Sequence, residues 1–565
     1  MLRVSINRSQ ARSLVASTQG IVASEHPLAS QAGATVLAAG GHAVDAAIAA
    51  NAVMGVVCPM MCGIGGDLFA IVSEQNGGLH GVNGSGWAPA RLTPEFLESR
   101  GTGSMPQSGV HSITVPGAVA GWALLLGRFG RMPLAKILAP AIALAEDGFP
   151  VAEITAEEWR NRETFLREDP DAVRAFLPAD HPLTLGEIFR NPDLAWSYRE
   201  IAEHGPDGFY RGELARRLIT AFERRGGVMA PADLAEFQAE WAGPISTNYR
   251  GWDVFELPPN GAGIAALMML NILEGLPMGE YGPNSVDALH ALIEAKKLAY
   301  ADMQRYVADP RFSDIPVSAM LNKDFARGRR NMIAASAAHA IAAAELPVHP
   351  PPRRDAALRR GAPELVWRIP ASEGGAGDTT YLSVVDRDGN MVSLIQSNFA
   401  SFGSGVVAAG TGFPLQNRGA LFTLDRAHPN VLAPRKRPLH TIIPALMRHG
   451  DTQIAFGIMG GWNQSQAHAQ FVSNVVDHRL NIQAALEAPR FTKLTFEGRD
   501  VAVERRIPEA VRHGLTAKGH DVEVEGDFCS LMGGGQAVMR AAGVNYGASD
   551  PRKDGAAVPE SVSKR

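Results

Sequence analysis

The stretch "GGAGDTTYLSVVDRDGN" (374–390) passes from glycine-rich and polar to a β-strand pattern at Asp378, Thr379 and Thr380. A threonine hydroxyl is a weak nucleophile and needs a base. Cutting the Asp378–Thr379 bond would supply one. Thr379 would gain a free α-amine beside its own hydroxyl, and such an amine titrates near pH ~7.7–8.0, so it is available as a general base without a histidine. The loose segment would release the new terminus and the strand would hold the hydroxyl still. Threonine is also common at strand starts through β-propensity alone. The junction by itself therefore leaves both a self-cleaving nucleophile and a plain loop–strand boundary open.

Other chemistries find little support. The chain has no G-x-S-x-G elbow, no H-E-x-x-H helix and no Walker loop. Its sixteen histidines lack metal-ligand spacing. Three cysteines, Cys58, Cys62 and Cys529, make no disulfide framework, and Cys58 and Cys62 have no second Cys/His pair to complete a metal site, so they read as small buried residues. Gly63, Gly65 and Gly66 invite a phosphate-loop reading, but there a strand should precede and a helix follow, and here the order is reversed. A tight turn with close backbone packing is expected instead. No cofactor and no metal are implied.

The elements that must position Thr379 come from a chain of 565 residues, long enough for more than one ordinary core. A net charge of −5 argues against nucleic acid as a partner. The N-terminus has no continuous apolar signal region, and the apolar run 36–72 is broken by His42, Asp45, Pro59, Asp67 and many glycines, so no membrane span is expected. This gives a cytoplasmic expectation, or a periplasmic one if the start codon is misassigned. Helical periodicity marks 26–41, 42–57, 118–130, 134–148 and 285–306. Around 249–275 a strand, a Pro-Pro-Asn-Gly turn and a helix follow one another. Residues 346–378 are rich in proline, arginine and glycine and read as a linker. After it, "TTYLSVVD" and "NMVSLIQS" flank the hairpin signal "RDG". "HTIIPALMRHG" and "TQIAFGIMGG" read as further strands, and the C-terminal third as α/β with antiparallel pairing.

Several of these segments carry a resemblance. "GIVASEHPLASQAGATVLAAGGHAVDAAIAANAVMGVVCPMMCGIGGDLF", "GDTTYLSVVDRDGNMVSLIQS", "FGSGVVAAGTG", "KRPLHTIIPAL", "GIMGG" and "GVNYGASDPRKDGAA" resemble, in order and over nearly the whole chain, the γ-glutamyltransferase (glutathione hydrolase) family. The resemblance implies an α/β fold of the N-terminal-nucleophile (Ntn) hydrolase class, an αββα sandwich. It implies a precursor that cleaves itself before Thr379 into a large subunit (1–378) and a small one (379–565). Thr379 would form an acyl-enzyme from a small-molecule amide, and water or an amine acceptor would take the acyl group. The family's second hydroxyl falls at Ser397. Its oxyanion glycines fall at Gly460 and Gly461, whose N–H groups would suffice for that role. Homo-oligomerisation is left open.

The glutamate-gripping residues of the family are altered. Ser85 stands where an arginine is typical, Phe399 replaces an asparagine, Arg418 a glutamine, Leu421 an aspartate, and His440 and Thr441 a pair of serines. Losing an arginine–carboxylate pair removes a strong contact, so glutathione is not expected to be a good substrate. "LQNRG…LFTLD…HPN" and "RPLHTIIPAL" resemble a divergent branch with cephalosporin acylase-like and oxamate amidohydrolase-like members. Arg418 and His440 could meet a carboxylate on the acyl group, while Arg418 could equally pair with Asp425. The competing functional reading is an uncleaved, catalytically silent relative acting as a binding protein.

Overall fold

The computed structural model describes residues 10–178, 180–347 and 378–561. The expected linker 346–378 lies outside them except at its ends.

Two antiparallel sheets of seven strands each form the centre of the molecule. In chain order the strands are β1 Val15–Ser17, β2 Ile21–Ser24, β3 Asp67–Ser73, β4 Leu79–Gly84, β5 Glu240–Ala242, β6 Ile245–Tyr249, β7 Trp252–Glu256, β8 Asp378–Val385, β9 Met391–Phe399, β10 Ala445–His449, β11 Thr452–Ile458, β12 Gly535–Ala541, β13 Val544–Ser549 and β14 Ala556–Pro559. One sheet runs β14-β2-β8-β9-β3-β4-β5 and the other β1-β13-β12-β11-β10-β7-β6. Each sheet draws strands from both sides of residue 378. The hairpin β8–β9 turns where expected: Gly389 has φ 98°, and Asp386 Oδ1 accepts from the N–H groups of Gly389 and Asn390, each at 2.9 Å.

The central strands are buried on both faces, which explains why their sequences are runs of apolar residues rather than clean alternations. Period-2 geometry still sorts them. Leu382, Val384, Val392 and Leu394 face a helical layer, in the same core cluster as Leu68, Ala70 and Val72. Tyr381, Ile395, Phe69 and Ile71 face the opposite sheet, where Leu446 and Ile442 meet them. The helical layer over the first sheet begins with α1 (Pro27–Ala38) and α2 (Ala43–Val57). A buried α2 needs a satisfied N-terminus, and His42 and Asp45 provide a reciprocal cap, with Asp45 Oδ2 accepting from the His42 N–H at 2.8 Å. Over the second sheet lie α3 (Gly263–Leu273) and α5 (Gln464–Val476), with the long α4 (Val286–Tyr306) packed outside them. The arrangement is the expected αββα sandwich.

Two local expectations need correction. "HTIIPALMRHG" becomes a strand only at Ala445–His449; before it His440 makes an isolated bridge to Gly261, and Pro444 lacks the N–H a ladder would use. The C-terminal third is not wholly antiparallel, because the strands Asp500–Glu504 and Asp521–Glu525 pair in parallel across the helix Glu509–Ala517.

At one point the two sheets approach unusually closely. A Cβ at Gly457 of β11 would stand 2.4 Å from two ring carbons of Tyr381 on β8. Replacing Gly457 by alanine must push the sheets apart or turn the ring, an overpacking cost of ~1–3 kcal/mol. The expected result is a lower denaturant midpoint by urea unfolding.

Candidate active site

Three neighbouring strands place polar residues on the inner face of the first sheet. Thr379 on β8, Ser397 on β9 and Asp67 on β3 follow the same alternation as Tyr381, Ile395 and Phe69, so they close one end of an otherwise apolar inter-sheet face. Ser397 and Asp67 are direct register partners.

The register slips where Thr379 sits. Asp378 opposes Phe399 and Thr380 opposes Gln396, so β9 carries an extra residue. Such a bulge re-aims side chains locally. Phe399 ends it at φ 75°, a costly backbone conformation for a bulky residue and one that concentrates at functional sites. The result is a direct contact: the Thr379 hydroxyl donates to Ser397 Oγ at 3.0 Å, and the Phe399 N–H donates to the same oxygen at 2.8 Å. Asp378 begins β8, and its side chain lies outside the described residues. The glycine turn before β3 is the close-packing turn expected. A Cβ on Gly66 would stand 2.5 Å from the Ser397 carbonyl oxygen, and one on Gly65 would collide with the Pro414 carbonyl.

On its other side β8 is paired with β2 only from Ser383 onward. Nearer Thr379, Glu25 replaces the ladder, with Oε1 accepting from the Tyr381 N–H at 2.8 Å. Burial raises the Glu25 carboxyl to about 8, against the opposing pull of Lys553.

Gly460 and Gly461 form the turn from β11 towards α5, with φ of 122° and 55°. Only glycine holds such a pair cheaply. The turn is pinned by the Asn463 N–H on the Gly460 carbonyl (2.9 Å) and by the Tyr300 hydroxyl on the Trp462 carbonyl (2.5 Å). Ala455 packs with Val385 while Gly457 meets Tyr381, so β11 runs towards the Thr379 end of β8 and its terminal glycines lead to that end.

A second group adjoins the first. Arg418, completely buried, lies with its guanidinium carbon 4.5 Å from the centre of the Phe399 ring and donates from Nη1 to Thr441 Oγ1 at 2.7 Å. Its nearest carboxylate is Asp67, 3.9 Å from Nε, and not Asp425, which accepts from the Ala427 N–H at 2.9 Å. His440 stands 3.0 Å from Asp67 through Nε2. The Ile442 N–H faces His440 Nδ1 at 3.3 Å, so Nδ1 is the acceptor and Nε2 carries the proton to Asp67. The Gly86 N–H donates to the other Asp67 oxygen at 3.0 Å. Burial raises Asp67 to about 7, with Arg418 opposing. Burial, reinforced by Arg418, holds His440 well below its ordinary value. Arg418 is lowered by burial to about 9, against the pull of Asp67.

Ser85 is tied into the frame behind this group. Its hydroxyl accepts from Asn260 Nδ2 at 3.1 Å, and Asn260 also donates to the Pro438 carbonyl at 2.7 Å and accepts through its own carbonyl from the His440 N–H at 2.9 Å. The contacts thus link Thr379, Ser397, Phe399, Arg418 and Thr441 into one chain, with His440 and Ser85 joined through Asp67 and Asn260. Sequence motifs alone do not single out Asp67 or Asn260. A signal for Asp67 exists: an acidic residue opening a strand with every residue buried requires a buried partner.

Cys58, Cys62 and Cys529 are free thiols, and the first two are buried as expected. Among the described residues, His290, Glu294 and His520 could reach a common cation, but the ammonium of Lys297 already holds Glu294 at 2.7 Å and opposes one. No helix among the described residues is long and apolar enough to cross a membrane.

Comparison with known proteins bears on the family and the fold of the chain. The sequence profile of the gamma-glutamyltranspeptidase family matches residues 29–560. The glutathione hydrolase-like YwrD proenzyme of Bacillus subtilis is 36% identical over 552 residues, covering 96% of this chain and 99% of the relative. The oxamate amidohydrolase proenzyme of Klebsiella pneumoniae is 34% identical over 552 residues, covering 96% and 98%. The crystal structure of cephalosporin acylase from Bacillus halodurans superposes with a TM-score of 0.88 at 39% identity, covering 98% of each chain. The divergent branch expected from the motifs is the one these relatives represent. The fold is that of the Ntn hydrolases, the chain is a hydrolase or acyltransferase, and it belongs to the gamma-glutamyltranspeptidase family.

Proposed function

We propose that the protein is a self-processing N-terminal-threonine amidohydrolase that acts on small amides whose acyl group carries a second carboxylate. The observation that carries the reading is the bulged β8–β9 junction, where the Thr379 hydroxyl meets Ser397 Oγ at 3.0 Å one residue after Asp378. Cleavage of the Asp378–Thr379 bond would divide the chain into subunits 1–378 and 379–565 and free the α-amine as base. Attack by Thr379 Oγ1 on the amide carbonyl would give a tetrahedral oxyanion, received by the N–H groups of Gly460 and Gly461. The leaving amine takes a proton as the acyl-enzyme forms, and water or a second amine then accepts the acyl group. Relatives named proenzymes support processing from a precursor.

Arg418 supports the acyl preference. It reaches Phe399, which is hydrogen-bonded to Ser397, and among the described residues its Nε and Nη2 have no hydrogen-bond partner. Buried guanidinium donors without acceptors are costly, and a substrate carboxylate would satisfy them in a bidentate pair. γ-Glutamyl, glutaryl and oxamate amides all offer one.

Mass and N-terminal analysis of the purified protein should find a fragment beginning at Thr379; a chain left whole would favour the binding-protein alternative. Arg418→Ala should raise KM for carboxylate-bearing amides by roughly 10–100-fold, the worth of a charge-assisted hydrogen bond or two, with little change for neutral acyl amides. An unchanged KM for the carboxylate substrates would remove Arg418 from acyl recognition.

A further inference from the structure

Arg418 and Asp67 are an incomplete pair. A buried arginine and carboxylate that existed to stabilise each other would meet at hydrogen-bond distance, usually through two contacts of ~2.7–2.9 Å. Here Asp67 Oδ2 stops 3.9 Å from Arg418 Nε and is drawn instead to His440 Nε2 at 3.0 Å, while Gly86 holds the other oxygen at 3.0 Å. Thr441 and the Phe399 ring fix the guanidinium from its other sides. The carboxylate is close enough to balance the charge of Arg418 and too far to satisfy its donors.

We propose that Asp67, held by His440, is a specificity-determining residue: it stands in for the substrate's carboxylate beside Arg418, and an anionic acyl group binds together with one proton, which Asp67 takes up. This rests on the reading that Arg418 receives a substrate carboxylate. The balance is simple: ionised Asp67, substrate carboxylate and one proton give neutral Asp67 and the substrate–Arg418 pair, with no covalent change. Without the proton, two carboxylates would compete for one buried guanidinium, and like charges in a dry site cannot both stay ionised.

The charged and titratable groups around Asp67 favour this division. His440 already donates through Nε2, and its Nδ1 is covered by the Ile442 N–H, so the imidazole is a poor place for the extra proton. Arg437 acts on Asp67 from further away and is itself engaged with Glu240 at 2.8 Å. The Tyr210 hydroxyl donates to the Pro116 carbonyl and stays neutral, pushed up by burial. Burial pushes Asp67 up to about 7 and brings Arg418 down only to about 9, so Arg418 keeps its charge where Asp67 gains or loses its proton. The sign follows from linkage. Below pH ~7 Asp67 is already neutral and binding takes up no proton. Above it, each bound anion must bring one, so affinity falls as pH rises.

The test compares glutaryl-p-nitroanilide with the analogue whose free carboxylate is a carboxamide. Wild-type KM for the glutaryl substrate should rise about tenfold from pH 6 to pH 8, the change expected for a group titrating near 7, while KM for the carboxamide stays level. Calorimetry with glutarate in two buffers of different ionisation enthalpy should show proton uptake approaching one at pH 8 and near zero at pH 6. Asp67→Asn should abolish the rise and bind the glutaryl substrate about tenfold more tightly than wild type at pH 8; a merely structural carboxylate would give weaker binding or a misfolded protein. Equal KM values for the two substrates at pH 6 would overturn the Arg418 reading itself. A clear preference for the glutaryl substrate at pH 6 that persists unchanged to pH 8, with no proton uptake, would overturn the role of Asp67 and leave that reading standing. The wild-type profile and the calorimetry decide the matter even if the variant does not fold.

Discussion

Thr379→Ala should leave a single chain of 60.1 kDa and reduce amide turnover by at least ~10⁴-fold. Both effects have one cause, because the hydroxyl proposed to cut the precursor is the one proposed to attack the substrate. The change removes the hydroxyl, with its hydrogen bond to Ser397 Oγ, and one methyl group at a position outside the apolar inter-sheet cluster, so the variant should fold. Thr379→Ser provides the control: it keeps the hydroxyl and should still be processed. In wild type, kcat/KM for a neutral acyl amide should rise towards pH ~8 as the α-amine loses its proton. Gel electrophoresis, intact mass and a p-nitroanilide assay measure all three. A Thr379→Ala protein that is processed and active would refute the nucleophile assignment, and a wild type that is neither would shift the function to binding.

The second large effect is expected at Gly460. Its φ of 122° is outside what an alanine adopts comfortably, and an added Cβ would press on Asn463 Cβ at 3.3 Å. Relief requires the turn to rotate, which re-aims the N–H groups of Gly460 and Gly461. Loss of one oxyanion donor typically costs 10²–10³ in kcat, roughly 3–4 kcal/mol of transition-state stabilisation. Gly460→Ala should therefore show a kcat lower by roughly 10²–10³-fold with KM little changed, and the protein should keep its fold because the strain is confined to a turn. Pre-steady-state kinetics would place the loss in acyl-enzyme formation. A proportional loss in KM instead would mean that the turn shapes the substrate pocket and not the oxyanion site.

Many of the elements that carry this site are legible in the residues that form them. The helices α1, α2 and α4 begin at residues that cap them, His26, His42 and Ser285, and the hairpin β8–β9 follows its turn residues and β-branched runs. These are local properties, written within a few residues of where they act. The pairing of Thr379 with Ser397 is expected only through the family resemblance, since eighteen positions separate them and nothing local states that a bulge will bring their hydroxyls together. Gly65 and Gly66 are readable as a close-packing turn, but not as a turn that rests on the backbone of Ser397.

The amino-acid order therefore specifies many of the elements and, through the family resemblance of its motifs, the family-level chemistry and the candidate nucleophile. The company that Arg418 keeps is settled only in the folded molecule. Asp67, Arg418 and His440 are separated by hundreds of residues or by an irregular loop, and the contacts among them depend on which strands lie side by side and where each chain leaves its sheet. Judged by sequence, Asp425 is as good a partner for Arg418 as any. The sheet register instead sets Asp67 beside Ser397, and the segment leading into β10 brings His440 to it. Long-range contacts of this kind follow from the packing of two whole sheets, and no short stretch of residues carries that information.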